Sequence, residues 1–262
     1  MYFDLALLSC VLSLLHVTLF FFLGYRRLEL VANIFAVLGL IFSGLQYRYL
    51  YSVISQPYAS LSGILLLLTM ALFIGYLAMY FRFKRPSVGL FVFPLTVIFV
   101  MISRFSSGFA PAGNDVAVTF WLYIHLPFTI LGTAFFMLST FSGIMYFIQE
   151  HQLKKKNFGI IFRRFPPLDT LNRINNTTLY IGFYTFTIGL LAGVIWMFYS
   201  GGRINFFTPK LIFAIITWII YSGITFYKQF RGLTPKATAL STIVGFISVL
   251  ITYIGVAYFI MG

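Results

Sequence analysis

Leu190–Gly255 reads LLAGVIWMFYSGGRINFFTPKLIFAIITWIIYSGITFYKQFRGLTPKATALSTIVGFISVLITYIG, and this stretch decides the fold. Two long apolar runs flank a short polar loop, and a third follows a turn containing Arg231, Gly232 and Pro235. The runs are continuously apolar rather than alternating. That is the pattern of membrane helices, whose backbone groups are satisfied within the segment, and not of barrel strands. Crossing a hydrocarbon core roughly 30 Å thick takes about 20 such residues.

The rest of the chain has the same texture. It is 60% hydrophobic and 9% charged, whereas a soluble domain carries about 25% charged residues, so a water-soluble globule is excluded. Eight spans are predicted, near Phe3–Gly24, Leu28–Leu45, Leu61–Phe81, Val88–Ser103, Phe120–Ile148, Leu179–Tyr199, Leu211–Tyr227 and Ala237–Ile260. The fourth is short enough to be tilted or partly re-entrant, and the fifth is long enough to leave the bilayer. The first lacks a basic segment before it and reads as a membrane helix rather than a cleavable signal peptide. The predicted fold class is all-α: a polytopic membrane helical bundle of eight transmembrane helices forming one integral membrane domain over residues 1–262.

Charge supports that count. Fourteen of the 18 Lys and Arg residues fall in the odd-numbered loops, six of them in the fifth: Lys154, Lys155, Lys156, Arg163, Arg164 and Arg173. The even-numbered loops hold only Arg48, Arg104, Arg203 and Lys210. The positive-inside rule then puts the odd loops in the cytoplasm and both termini outside. The net charge of +13 follows from this topology and from attraction to anionic headgroups of the lipid bilayer. It calls for no nucleic acid. Within the fifth loop, Pro166 and Pro167 stop any helix, and Asp169 is placed to cap a short helix beginning near Thr170. The loop reads as a membrane-surface connector, or as a docking patch for a cytoplasmic partner.

Chemistry is sparse. A single cysteine, Cys10, excludes an internal disulfide, a cysteine metal cluster and a CxxC relay. The acids are Asp4, Glu29, Asp115, Glu150 and Asp169, all at span ends or in loops. A proton-coupled transporter usually needs one at mid-membrane. There is no hydrolase, kinase or Walker-type motif, so no catalytic residue is assigned. Of the histidines, His151 falls in the cytoplasmic loop. His16 lies inside the first span, as a functional group or as a hydrogen-bonding partner for a neighbouring helix. His125 stands near the outer end of the fifth span in WLYIHLPF, Trp121–Phe128. Imidazole suits iron, and an aromatic surface suits a planar apolar macrocycle. Trp121, Tyr123, Trp196 and Phe207 could supply that surface. The competing reading is an interfacial aromatic belt with His125 packed beside it.

The order GVIW (Gly193–Trp196), PK, ITWIIY (Ile216–Tyr221), RG, then Gly245-Phe246 and Gly255-Val256 resembles the CcsA/CcmC/HemX-type cytochrome c assembly membrane proteins, including their YpjD-like branch. The segment from Trp121 resembles the family's WLxIHV pattern. The resemblance is strongest over residues 121–256. It implies a haem-handling membrane protein, with His125 as iron ligand and Trp121, Trp196 and Phe207 around the cofactor. It also implies other cytochrome c biogenesis or haem-synthesis proteins as partners, and a bacterial cytoplasmic membrane. The departures are specific. The family's tryptophan-rich haem loop, WGxYWxWDPKE, is represented only by FYSGGRINFFTPK, Phe198–Lys210. No histidine follows His151, so the second external ligand is missing. The family's two membrane-embedded histidines align with Ser43 and Phe226. The resemblance therefore implies a reduced, HemX-like member that is non-catalytic or regulatory and binds haem weakly through His125. A permease-like bundle, or a structural subunit of a membrane complex, is the alternative.

Overall fold

The computed structural model describes residues 2–53, 60–106, 120–156, 158–199 and 209–261, with only the backbone described for 209–210 and 252–261. The described chain is helical: α1 (Tyr2–Leu23), α2 (Arg26–Val53), α3 (Leu61–Phe83), α4 (Gly89–Ser106), α5 (Phe120–Lys154), α6 (Ile160–Arg164), α7 (Leu168–Tyr199), α8 (Pro209–Arg231) and α9 (Pro235–Met261). A short 3-10 turn, Pro86–Val88, precedes α4. Among the described residues, seven segments are long and apolar enough to cross a membrane: α1, α2, α3, the turn with α4, α5, α7 and α8. The described apolar part of α9, Pro235–Ile251, is shorter. The protein is a polytopic helical bundle, integral to the membrane.

Two compact units emerge: Met1–Val116 with Gly159–Pro166, and Ala117–Phe158 with Pro167–Gly262. In the first unit, α2 buries Ala32, Ala36, Gly39, Ser43, Gln46 and Leu50. These are mostly small residues at alternating spacings of four and three, which is the seam of closely packed membrane helices. The α1–α2 turn is closed by Gly24, whose φ of +81° lies in the left-handed region that glycine alone adopts freely. The guanidinium of Arg164 fills the space where a Gly24 Cβ would stand and lies over the Phe20 ring, 5.9 Å from its centroid. A cation there also favours the negative C-terminus of α1. Phe165 is buried against Phe21, with centroids 5.7 Å apart. The basic connector is thus docked on its own chain through Arg164 and Phe165.

The second unit is built on an antiparallel pair, α5 and α7. On α5 the facing residues are His125, Thr129, Gly132, Phe136, Ser139 and Gly143; on α7 they are Gly193, Gly189, Phe186, Gly182 and Asn175. The α5 set repeats every three or four residues and the α7 set at intervals of three, four and seven, the spacing of an interdigitated helix seam. Glycine lets the backbones approach. A Cβ on Gly132 would lie 2.7 Å from the Phe186 backbone nitrogen, and one on Gly182 would lie 2.8 Å from the Phe136 ring.

Further along the seam, Asn175 Nδ2 donates to the Ser139 carbonyl and to Thr242 Oγ1, both at 3.0 Å, and Thr140 Oγ1 donates to the Thr242 carbonyl at 3.1 Å. This buried polar cluster ties α9 to α5 and α7. Such interhelical bonds contribute roughly 0.6 kcal/mol each in membranes.

Helix boundaries differ from expectation where polar residues are buried. The sixth span was expected from Leu179, with a separate short helix near Thr170. Instead α7 runs unbroken from Leu168. The polar run Asn172–Thr178 continues the helix because Leu171, Ile174, Asn175 and Thr178 face inward. Asp169 does not cap a separate helix; it sits in the first turn of α7 and pairs with Arg173 at 3.0 Å. The second span likewise extends past Leu45 to Val53. At 35 residues, α5 is about 52 Å long and outruns a roughly 30 Å hydrocarbon core.

Candidate functional site

His125 sits in the second turn of α5, at the end of the α5–α7 seam. Its Nδ1 lies 2.7 Å from the Gly189 carbonyl oxygen. A carbonyl can only accept, so Nδ1 carries the proton and donates it. In the neutral ring the lone pair then belongs to Nε2. This is an arrangement typical of a metal-ligating histidine, in which one ring nitrogen is held by a backbone carbonyl and the other points its lone pair at the metal. Thr129 Oγ1, one turn along, is 3.3 Å from the same nitrogen.

Two residues of α7 fix the ring. Gly193 provides the space, since a Cβ there would lie 2.5 Å from His125 Nδ1 and 2.7 Å from Cε1. Trp196, one turn further on, lies within 15° of parallel to the imidazole, with centroids 6.3 Å apart. An imidazole lone pair lies in the ring plane, so a metal bound there lies in that plane too. Trp196 flanks the ring's face. Its geometry suits holding the imidazole more than providing a platform under a macrocycle.

Of the other expected site residues, Trp121 precedes His125 by one helical turn and packs edge-on against Phe120, centroids 5.7 Å apart. Tyr123 points outward and is exposed. Phe207 lies outside the described residues, as does most of the Phe198–Lys210 segment. The structure therefore brings His125 and Trp196 together and puts Trp121 on the same helix.

The two aligned positions, Ser43 and Phe226, and the histidine of the first span behave as packing residues. His16 Nδ1 lies 2.7 Å from the Leu12 carbonyl of its own helix, and its ring is 5.5 Å from Phe35. Its partner is thus in α1 itself rather than a neighbouring helix. Ser43 is buried in the small-residue face of α2. Phe226 packs against Phe183, centroids 5.7 Å apart. His151 is exposed.

Gly189 and Gly193 were not singled out as site residues from sequence. The signal was present: Gly182, Gly189 and Gly193 stand seven and four residues apart, on one helix face, opposite a matching set on α5. No cluster of three or more His, Cys, Asp or Glu residues exists among the described residues. A lone imidazole instead suits a metal that arrives in its own chelate, as haem iron does. The donor set fits a haem at the level of one axial ligand.

The chain is similar to the cytochrome c biogenesis protein CcsA of Guillardia theta, 25% identical over 224 residues that cover 77% of this chain and 73% of that protein. It is similar to CcsA of Ranunculus macranthus, 25% identical over 268 residues, covering 87% and 81%. Protein HemX of Bacillus subtilis matches a shorter part, 29% identical over 132 residues, half of this chain and 48% of that protein. The likeness thus reaches well upstream of Trp121. The family of cytochrome c assembly proteins matches residues 1–262, and this chain belongs to it.

Proposed function

We propose that the protein handles haem as a non-catalytic, HemX-like member of its family, with His125 as the iron ligand. The observation that carries this is the 2.7 Å contact between His125 Nδ1 and the Gly189 carbonyl, which fixes the tautomer needed for ligation through Nε2. Gly193 and Trp196 confine the ring. When bound, the haem supplies an iron centre; the chain's own residues bind and orient it. Trp121 and Phe207 belong to the same proposal as apolar contacts, a non-directional contribution that cannot fix the iron. With one imidazole, binding is weak and substoichiometric. Cytochrome c biogenesis or haem-synthesis proteins are the proposed partners, and a bacterial cytoplasmic membrane the proposed location.

Absorption spectra of protein purified in mild detergent, oxidised and reduced, test this reading. His125→Ala is expected to abolish the haem bands, and His16→Ala to leave them intact. A strong low-spin spectrum surviving His125→Ala would place the site elsewhere.

The same proposal carries an orientation, with both termini outside and the Lys154–Lys156 connector in the cytoplasm, on the basis of the charge asymmetry. Reporter fusions after Phe158 and after Gly262 are expected to report opposite sides. Identical reports would contradict the eight-span arrangement.

A further inference from the structure

The first unit holds a groove that the haem reading does not use. It lies between the start of α2 and the end of α3 and has a volume of about 420 Å³, within the range of small-molecule sites. Its lining is graded. Arg26, Glu29, Asn33 and Tyr80 form one end, and Ile34, Leu38 and Leu77 form the other. From Arg26 to Leu38 the lining of α2 spans about 18 Å at 1.5 Å per residue. A polar head followed by an apolar track is the outline of a lipid, not of a water-soluble ligand.

The polar end is organised. Tyr80 Oη donates to Glu29 Oε1 at 2.6 Å, and Tyr76 Oη donates to Asn33 Oδ1 at 2.9 Å. Tyr80 takes one carboxylate oxygen, and Glu29 keeps further acceptor capacity on the other. Lys84 caps α3 in the left-handed conformation, φ 55° and ψ 42°, with its N–H donating to the Tyr80 carbonyl at 2.7 Å. Glycine is the usual residue at such a cap. Lysine there sets an ammonium 5.5 Å from the Tyr80 ring centroid and 5.2 Å from that of Phe81. Both rings line the groove. The groove lining thus offers one cation, Arg26, beside one carboxylate, and Lys84 holds a second ammonium against two of the lining rings. Arg26 and Glu29 are three apart on α2 and so are neighbours on its surface.

We propose that this groove seats a single ethanolamine glycerophospholipid. Its phosphate meets Arg26 and Lys84, its ammonium donates to Glu29, and its acyl chains follow Ile34 and Leu38 onto the exposed surface at Val37 and Ile41. A choline headgroup has no N–H to give Glu29. A glycerol headgroup brings a net negative charge and no cation to the carboxylate. N–H donation to Glu29 therefore separates ethanolamine from choline, and its cation separates it from glycerol, among lipids that share the phosphate.

Native mass spectrometry of the full chain tests this, using an equimolar mixture of phosphatidylethanolamine, phosphatidylcholine and phosphatidylglycerol with identical acyl chains. The first bound lipid is expected to favour ethanolamine over choline roughly fivefold, the ratio set by one partly exposed charge-assisted contact. Glu29→Gln keeps an acceptor for Tyr80 and is expected to bring that ratio to about one. Arg26→Ala combined with Lys84→Ala is expected to lower total retained lipid. A wild-type ratio near one, a preference that survives Glu29→Gln, or a dominant glycerol headgroup would each overturn the proposal.

Discussion

Gly132→Val is expected to lower the melting temperature in detergent by about 5–10 °C. The α5–α7 seam is a backbone contact at this point. The three atoms nearest to a Gly132 Cβ all belong to Phe186, at 2.7–2.8 Å, and two of them are backbone. Backbone cannot swing aside as a side-chain tip can, so the helices must separate. Overpacking of this kind costs typically 1–3 kcal/mol, occasionally more, and each kcal/mol is worth about 2–4 °C in a domain of this size. Separation would also pull apart the pairs on either side, His125 with Gly189 and Phe136 with Gly182. Gly223→Ala is the matched control, because nothing lies within 4 Å of a Cβ built there. It is expected to be neutral or slightly stabilising, since alanine is the better helix former. Thermal unfolding followed by circular dichroism separates the two. Equal melting temperatures for both variants would show that the seam is not close-packed at Gly132.

Gly193→Ala is expected to act in the opposite way, sparing the fold and damaging the site. The added methyl meets the imidazole of His125, a half-buried side chain that can rotate away. The unfolding cost is therefore about 1 kcal/mol, near that of one lost hydrogen bond. The function lost is the 2.7 Å bond to Gly189 that holds the tautomer. Removing the hydrogen-bond partner that orients a ligating histidine costs typically about 10–100-fold in affinity. Haem titration is expected to show a loss in that range with a melting temperature within a few degrees of wild type. Unchanged haem affinity in a folded Gly193→Ala protein would mean that the ring's orientation does not matter.

Much of the fold was legible because membrane helices are long, continuous and apolar. Leu61–Phe81 was expected and α3 runs Leu61–Phe83; Phe120 was expected to begin the fifth span and does begin α5. The misplaced boundary at Leu179 has a physical cause. Hydropathy treats Asn175 and Thr178 as solvent-seeking, whereas here they are buried, with Asn175 bonded to Ser139 and Thr242 on two other helices. Partner satisfaction between distant segments cannot be read from a local window. The same limit applies to the site. His125 stood out through its motif, and Trp196 through the GVIW landmark. That Gly193 clears space for the imidazole, 68 positions away, is a property of antiparallel register, and register appeared only with the packed helices. Ser43 and Phe226 could be recognised from sequence as residues that cannot ligate iron, because their chemistry alone decides it.

The most direct test of the central claim is haem titration of His125→Gly with and without free imidazole, followed in the Soret region. If His125 supplies the iron ligand, the variant gives no haem bands by itself, and millimolar imidazole entering the vacated space restores them. His125→Gly binding haem with an unchanged spectrum in the absence of imidazole would contradict the account.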